Sequence, residues 1–165
     1  MSFEIRRADA SDAEAIADAH LDSIRSIGPA YYDEATVREW GAHVERGLYL
    51  RAMQSGIVFF IAVDGGEPGR VLGFSSHYLD GTDHGVGVYV RGSAARRGVG
   101  SALLRRAEAE AVANRATRLD IDASLAAVDF YRVHGFEERG GGVHRLPSGR
   151  SMACVFMRKS LTVPR

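Results

Sequence analysis

The sequence has no charge of one sign to spare. Its 21 Lys and Arg face 21 Asp and Glu, so nothing global draws the chain onto nucleic acid or an anionic membrane, and no partner of either kind is expected. It has a single cysteine, Cys154, which excludes an intramolecular disulfide and a cysteine-built metal site. Set in an apolar alternating run, that cysteine reads as a buried, inert thiol, and no metal is expected. No run of about 18 apolar residues is present to span a bilayer. The opening stretch MSFEIRRADASDAEAI has no apolar segment of the signal-peptide kind. The expectation is a cytoplasmic protein.

What is present fits one α/β domain over residues 1–165. Apolar residues make up 45% of the chain and charged residues 25%, the balance of a chain with a core to bury. FEIRRA alternates as a first strand. Ser11 and Glu14 have the spacing of a capping box. Ile16, Ala17, His20, Leu21, Ile24 and Ile27 then form a helical stripe that GP at 28–29 ends. A second helix is expected from Asp33, with Val37, Trp40 and Val44 on one side and Gly47 after it. LYLRAMQS adds a further turn or two. From Ile57 the period changes: IVFFIAV and RVLGFSSHYL read as a hairpin around DGGEPG, and HGVGVYV as a third strand. A helix follows, then the strand TRLDIDA, a helix from Leu125 to His134 closed by Gly135, and two strands around PSG. No repeat or linker interrupts them. The class is a mixed sheet flanked by helices.

Two stretches carry chemistry. In AARRGVGSALL a helix opens on two glycines, although glycine is about 1 kcal/mol worse than alanine inside a helix. Free amides at a helix start, its dipole and the absence of Cβ atoms suit a phosphate, and Arg96 and Arg97 add charge there. The guest implied is a pyrophosphate or similar polyanion. A Walker loop would need a lysine after the glycines, and the dinucleotide fingerprint fails at Leu103, where its third glycine belongs. Tight packing with solvated arginines is the plainer reading of the same residues. In ASLAAVDFYRVHGF, Ala127, Phe130, Tyr131 and His134 share a helical face. A tyrosine hydroxyl, with a pKa of about 10, suits donation to a leaving thiolate of conjugate acid about 8.5. A core tyrosine with one hydrogen bond is the alternative.

Together these stretches resemble the GNAT superfamily of acyl-CoA-dependent N-acetyltransferases. The family's R/Q-x-x-G-x-G/A motif aligns with ARRGVG, matching at Gly98 and Gly100 and departing at Ala95. Its N-x-x-A-x-x-x-Y motif, followed by a GF pair, aligns with SLAAVDFY…GF. Ala127, Tyr131, Gly135 and Phe136 match, and Ser124 replaces the Asn. The order of elements extends the resemblance from Phe3 to Lys159, and AYYDEATVREW is similar to substrate-side helices of one bacterial branch.

The resemblance implies a mostly antiparallel mixed sheet whose strands HGVGVYV and TRLDIDA splay to admit acetyl-CoA as acyl donor. Val88, Tyr89 and Val90 would meet the pantetheine as an added strand does. Arg96, Arg97, Gly98, Val99, Gly100 and Ser101 would hold the pyrophosphate, Tyr131 would protonate the CoA sulfur, and a strand amide would polarise the carbonyl. Ser124 either caps the following helix or contacts the pantetheine. The acceptor would be an amine, on a small molecule or a peptide, attacking directly. Tyr31, Tyr32 and Trp40 are candidates to line its side, Trp40 with a competing core reading. One of the paired tyrosines faces outward. His84 and Asp122 are candidates to reach the cleft, with His77, Asp80 and Asp83 nearby, and no one base is singled out. Homodimers are common in the family. Ala95 and Ser124 leave open a non-catalytic acyl-CoA sensor, and RRGVGS alone leaves open a mononucleotide binder of another fold.

Overall fold

Short apolar runs between Val58 and Val90, buried on both faces, make three adjoining strands, and the rest of the sheet grows from them. The computed structural model describes residues 1–162; the last three residues of the expected 1–165 unit lie outside these. Strands β1 (Phe3–Arg7), β2 (Val58–Asp64), β3 (Val71–Asp80), β4 (Asp83–Val90), β5 (Arg118–Ser124), β6 (Glu137–Arg145) and β7 (Ser151–Ser160) form one sheet in the order β1-β2-β3-β4-β5-β7-β6. Every neighbouring pair is antiparallel except β4 and β5. Helices α1 (Ala13–Ile27), α2 (Glu34–Gly41) and α3 (Arg46–Gln54) precede β2, α4 (Val99–Ala113) links β4 to β5, and α5 (Val128–Val133) follows β5.

Two faces of the sheet are covered by different helices. Val99, Leu103, Leu104, Ala107 and Ala111 of α4 are buried at helical spacing, packing with Phe60, Leu72, Val86 and Leu119. Ile16, Ala17 and Ala19 of α1 and Tyr49 of α3 pack on the opposite face against Phe59, Ile61 and Phe74. Arg91, 9% exposed, binds α1 to the end of β4: its Nε donates to the Val71 carbonyl at 2.6 Å and its guanidinium pairs with Asp18 and Asp22.

Local details depart from the pattern reading. The capping box before α1 is made by Asp9 and Asp12 around a 3-10 turn, Ala10–Asp12, rather than by Ser11 and Glu14. Arg6 fixes Asp12 through two bonds of 2.8 Å, and that partner holds the Asp12 carboxyl below the usual carboxylate range. The second helix begins at its Asp33 cap as expected but stops at Gly41, so Val44 lies in the turn that follows and Gly47 within α3. The last helix is one and a half turns, capped by nothing: Ser124 ends β5, and the N-cap is Ala127 with no side-chain bond. Gly135 closes it at φ +90°, the left-handed position only glycine takes readily.

Strands β4 and β5 pair at one position alone, Gly85 with Asp120. One ion pair spans that closed end, Arg118 of β5 to Asp83 of β4 at 2.6 Å. Past it the two strands diverge and leave a wedge. On the other edge of β4, Gly73 faces Val90, and a Cβ there would meet the Tyr89 carbonyl oxygen at 2.6 Å and the Val90 Cα at 3.0 Å. Backbone cannot step aside as a side chain does. Gly73→Ala is therefore expected to destabilise the protein by about 1–3 kcal/mol in urea titration; an unchanged midpoint would mean that β4 is free to shift.

Candidate active site

A strand that loses its neighbour must satisfy its amides elsewhere. In the wedge, the Val88 N–H donates to the Tyr131 hydroxyl at 3.1 Å. Tyr131 reaches this point because α5, short as it is, starts directly behind β5 and packs its ring on Phe130 and Phe136 at 5.1 and 5.2 Å between centroids. Among the described residues no acceptor takes the hydroxyl's own proton, so that proton is free for a guest. Burial pushes the Tyr131 pKa far up, with the Val88 bond a smaller opposing effect. The residue is a neutral donor across the physiological range. Strand alternation turns the Val90 amide to the same open side as that of Val88.

The wedge opens into a cavity of about 650 Å³. Val88, Tyr89 and Val90 form one wall, Ser124, Ala127, Phe130 and His134 another, and Ala95, Arg96, Gly98, Gly100 and Ser101 the end. Arg96 and Gly98 take positive φ of 61° and 84°, conformations that wind the loop before α4. Gly98 is the N-cap, and no side chain caps the helix, so the first amides of α4 are left for a ligand. A Cβ on Gly100 would lie 3.1 Å from the Phe130 ring, so glycine there lets α4 and α5 meet. This cradle suits an anion. Arg97 is exposed and outside the cavity lining, and the Val99 side chain is buried in the core, leaving only its main chain at the loop.

The remaining wall is aromatic. Tyr31, 50% exposed, and Trp40 line the cavity with Ile27 and Gly28. Trp40 stands edge-on to Tyr32 at 5.8 Å and to Tyr89 at 6.4 Å; it is a cavity wall rather than sealed core. Tyr32 is committed elsewhere. Its hydroxyl donates to the Ala153 carbonyl at 2.7 Å and accepts the Leu125 N–H at 2.8 Å, tying the segment before α2 to β7 and the end of β5. The Tyr89 ring stacks on Phe74 and lies 4.0 Å from that of His20. Burial pushes the Tyr89 hydroxyl up to about 12 and the His20 imidazole down to about 3, so both stay neutral.

Two further sequence candidates stand apart from the cavity. His84 stacks on His77 with a ring-nitrogen contact of 2.8 Å, near the hairpin end of β4 and outside the lining. Asp122 lies on β5, 51% exposed and 3.7 Å from His144. Sequence pattern marks His134 only as one residue of a helical face, yet it lines the cavity and bonds to Ser101.

Comparison with known proteins agrees with this geometry. The model of the acetyltransferase (GNAT) domain matches residues 55–138, slightly more than half the chain. The chain belongs to the GNAT acetyltransferase family. The matched span runs from just before β2 to the first residues of β6 and so contains the wedge, the α4 loop and Tyr131. Among solved structures, the chain is similar to a GCN5-related N-acetyltransferase, also titled class-II aminotransferase, from Rhodopseudomonas palustris. The two are 28% identical over 98% of this chain and 97% of that one, with a TM-score of 0.84. A PaiA N-acetyltransferase from Thermoplasma acidophilum, solved with coenzyme A, shares 19% identity over 98% and 100%, with a TM-score of 0.76. A ribosomal-protein-alanine N-acetyltransferase from Brucella melitensis shares 25% over 96% and 99%, with a TM-score of 0.69. No curated protein matches. Among the described residues, this GNAT chain has no helix long and apolar enough to cross a membrane and no cluster of three metal-ligating side chains.

The buried tyrosines give a pH prediction. Folding raises the pKa of Tyr89 and Tyr131 above the unfolded value of about 10. The folded state therefore keeps protons that the unfolded chain releases, and stability present below pH 10 is lost as pH rises through 10 toward 12. Urea midpoints measured from pH 8 to 11 are expected to be flat and then fall. Tyr131→Phe should reduce the fall; an equal slope in the variant would mean Tyr131 ionises in the fold as it does in water.

Proposed function

We propose that this protein transfers an acetyl group from acetyl-CoA to a primary amine by direct attack, with Tyr131 serving the departing sulfur. The observation that carries the reading is the Val88 N–H to Tyr131 hydroxyl bond inside the wedge. It brings an open strand, a neutral donor and an anion cradle into one cavity.

Each group has a task that its chemistry fits. The carbonyls of Val88 and Val90 would accept from the pantetheine amides as a further strand does, while Arg96, Gly98 and the first amides of α4 through Ser101 would hold the pyrophosphate. Ser124, with no cap to make, is left to face the pantetheine. When an amine nitrogen bonds to the thioester carbon and the C–S bond breaks, negative charge grows first on the carbonyl oxygen and then on sulfur. The Val90 N–H, the amide of this stretch that Tyr131 does not occupy, would stabilise the former. Tyr131 would meet the latter with its proton. A phenol raised above 10 gives that proton to a thiolate of conjugate acid about 8.5 uphill, so a hydrogen bond to the developing thiolate is its main contribution. Acceptance of the Val88 N–H polarises the hydroxyl and strengthens that bond. Solvent takes the proton the amine loses.

Tyr131→Phe is expected to lower kcat by about 100-fold with KM for acetyl-CoA within about twofold, measured by thiol release with a panel of primary amines. Unchanged kcat would remove Tyr131 from the reaction. Gly98→Asp should do the reverse, setting a carboxylate in the cradle and weakening acetyl-CoA binding by roughly tenfold or more. Binding as tight as in the parent would make RRGVGS a packing device. Binding without thiol release for any amine would favour a non-catalytic acyl-CoA sensor.

A further inference from the structure

His134 lies where α5 meets α4, and its two ring nitrogens have different partners. Nδ1 is 2.8 Å from the Phe130 carbonyl oxygen, and Nε2 is 2.8 Å from the Ser101 hydroxyl. A carbonyl only accepts, so Nδ1 carries a proton. In the neutral ring Nε2 is then bare, and Ser101 must donate to it. That direction has a consequence for the cavity. With its one proton spent on His134, Ser101 offers lone pairs alone to whatever sits at the start of α4. The first turn of α4 otherwise presents donors and the positive end of a dipole, so a neutral His134 leaves an acceptor in a cradle made for an anion.

Protonation reverses the bond. An imidazolium donates from both nitrogens; Nε2–H then donates to the Ser101 oxygen, and the serine proton turns outward to a phosphate oxygen. We infer that His134 is a proton-linked positioning residue for the CoA phosphates, setting through Ser101 whether the α4 cradle offers a donor or an acceptor. This rests on the acetyl-CoA reading above. The charged groups on the elements around His134 are few. Arg96 and Asp129 line the same cavity, and Arg105 lies one turn along α4 from Ser101. Asp129 is paired with Arg132 on α5, and Lys159 of β7, which packs by Gly135, is paired with Glu108 of α4. Arg96 has no ion pair among the described residues. A pyrophosphate entering beside it would replace repulsion between two cations by attraction of both to one anion, so binding favours the charged ring.

The test is calorimetric titration of the full chain with CoA from pH 5.5 to 8.5 in two buffers of different ionisation enthalpy. The 3′-phosphate of CoA titrates in this range as well, but that contribution is common to wild type and variant alike. Wild-type protein is expected to take up more protons on binding than His134→Gln. Its gain in CoA affinity from pH 8 to pH 6 is expected to exceed that of His134→Gln by roughly threefold or more. Equal proton uptake in the two proteins overturns the proposal while leaving the CoA site intact. Absence of CoA binding by the wild type overturns both. Nitrogen NMR of the wild-type histidines is independent of any variant's folding. The proposal expects the Nδ1-protonated tautomer for His134 in the free protein and greater protonation once CoA is added. An Nε2-protonated tautomer in the free protein overturns it.

Discussion

Everything at the site depends on where β4 stops being able to pair with β5. One bridge, Gly85 to Asp120, joins them, and the Arg118–Asp83 ion pair spans the same end. Past the bridge, the half-buried strand amides face a gap instead of a strand, and a buried amide left unpaired costs roughly 1–3 kcal/mol. The Tyr131 hydroxyl answers this for Val88. The same bond that satisfies the strand therefore parks a neutral proton donor inside the opening, and structural need and chemical use coincide in one contact.

The elements around the wedge are arranged to keep it open. Glycine at position 100 brings α4 close to Phe130 of α5, and left-handed backbone at Arg96 and Gly98 aims the first turn of α4 at the cavity. On the other side Arg91 clamps α1 to the end of β4, and Tyr32 bolts the segment before α2 to β7 and to Leu125. Aromatic rings from α1, α2 and β4 fill the space between. The cavity is thus bounded by elements far apart in sequence, each fixed by a separate interaction.

Much of this was legible in the sequence because period and glycine placement report on backbone directly. All seven strands, the α4 loop and the Tyr131 helix follow from short apolar or alternating runs between turn signals, helical stripes and the RRGVGS and DFYRVHGF stretches. The two misplaced caps share a physical cause. Ser11 with Glu14, and Ser124 ahead of LAAVDFY, have cap chemistry at cap spacing, but the chain takes its helical turn two or three residues away, where Asp9 and Ala127 stand. Spacing does not fix that phase. His84 is on the expected strand, yet its side chain is held by His77, a cross-strand partnership that depends on register. His134 looked like one more residue on an apolar face, since its two partners, a main-chain carbonyl and a serine 33 residues earlier, leave no mark in local pattern.

The most direct test of the account is amide NMR of the whole chain titrated with acetyl-CoA. The amides of Val88, Tyr89 and Val90, together with those from Gly98 to Ser101, should shift on binding, while the exposed edge strand Glu137–Arg145 stays where it is. Shifts confined to other elements, or none at saturating acetyl-CoA, would contradict the claim that the gap between β4 and β5 receives the acyl donor.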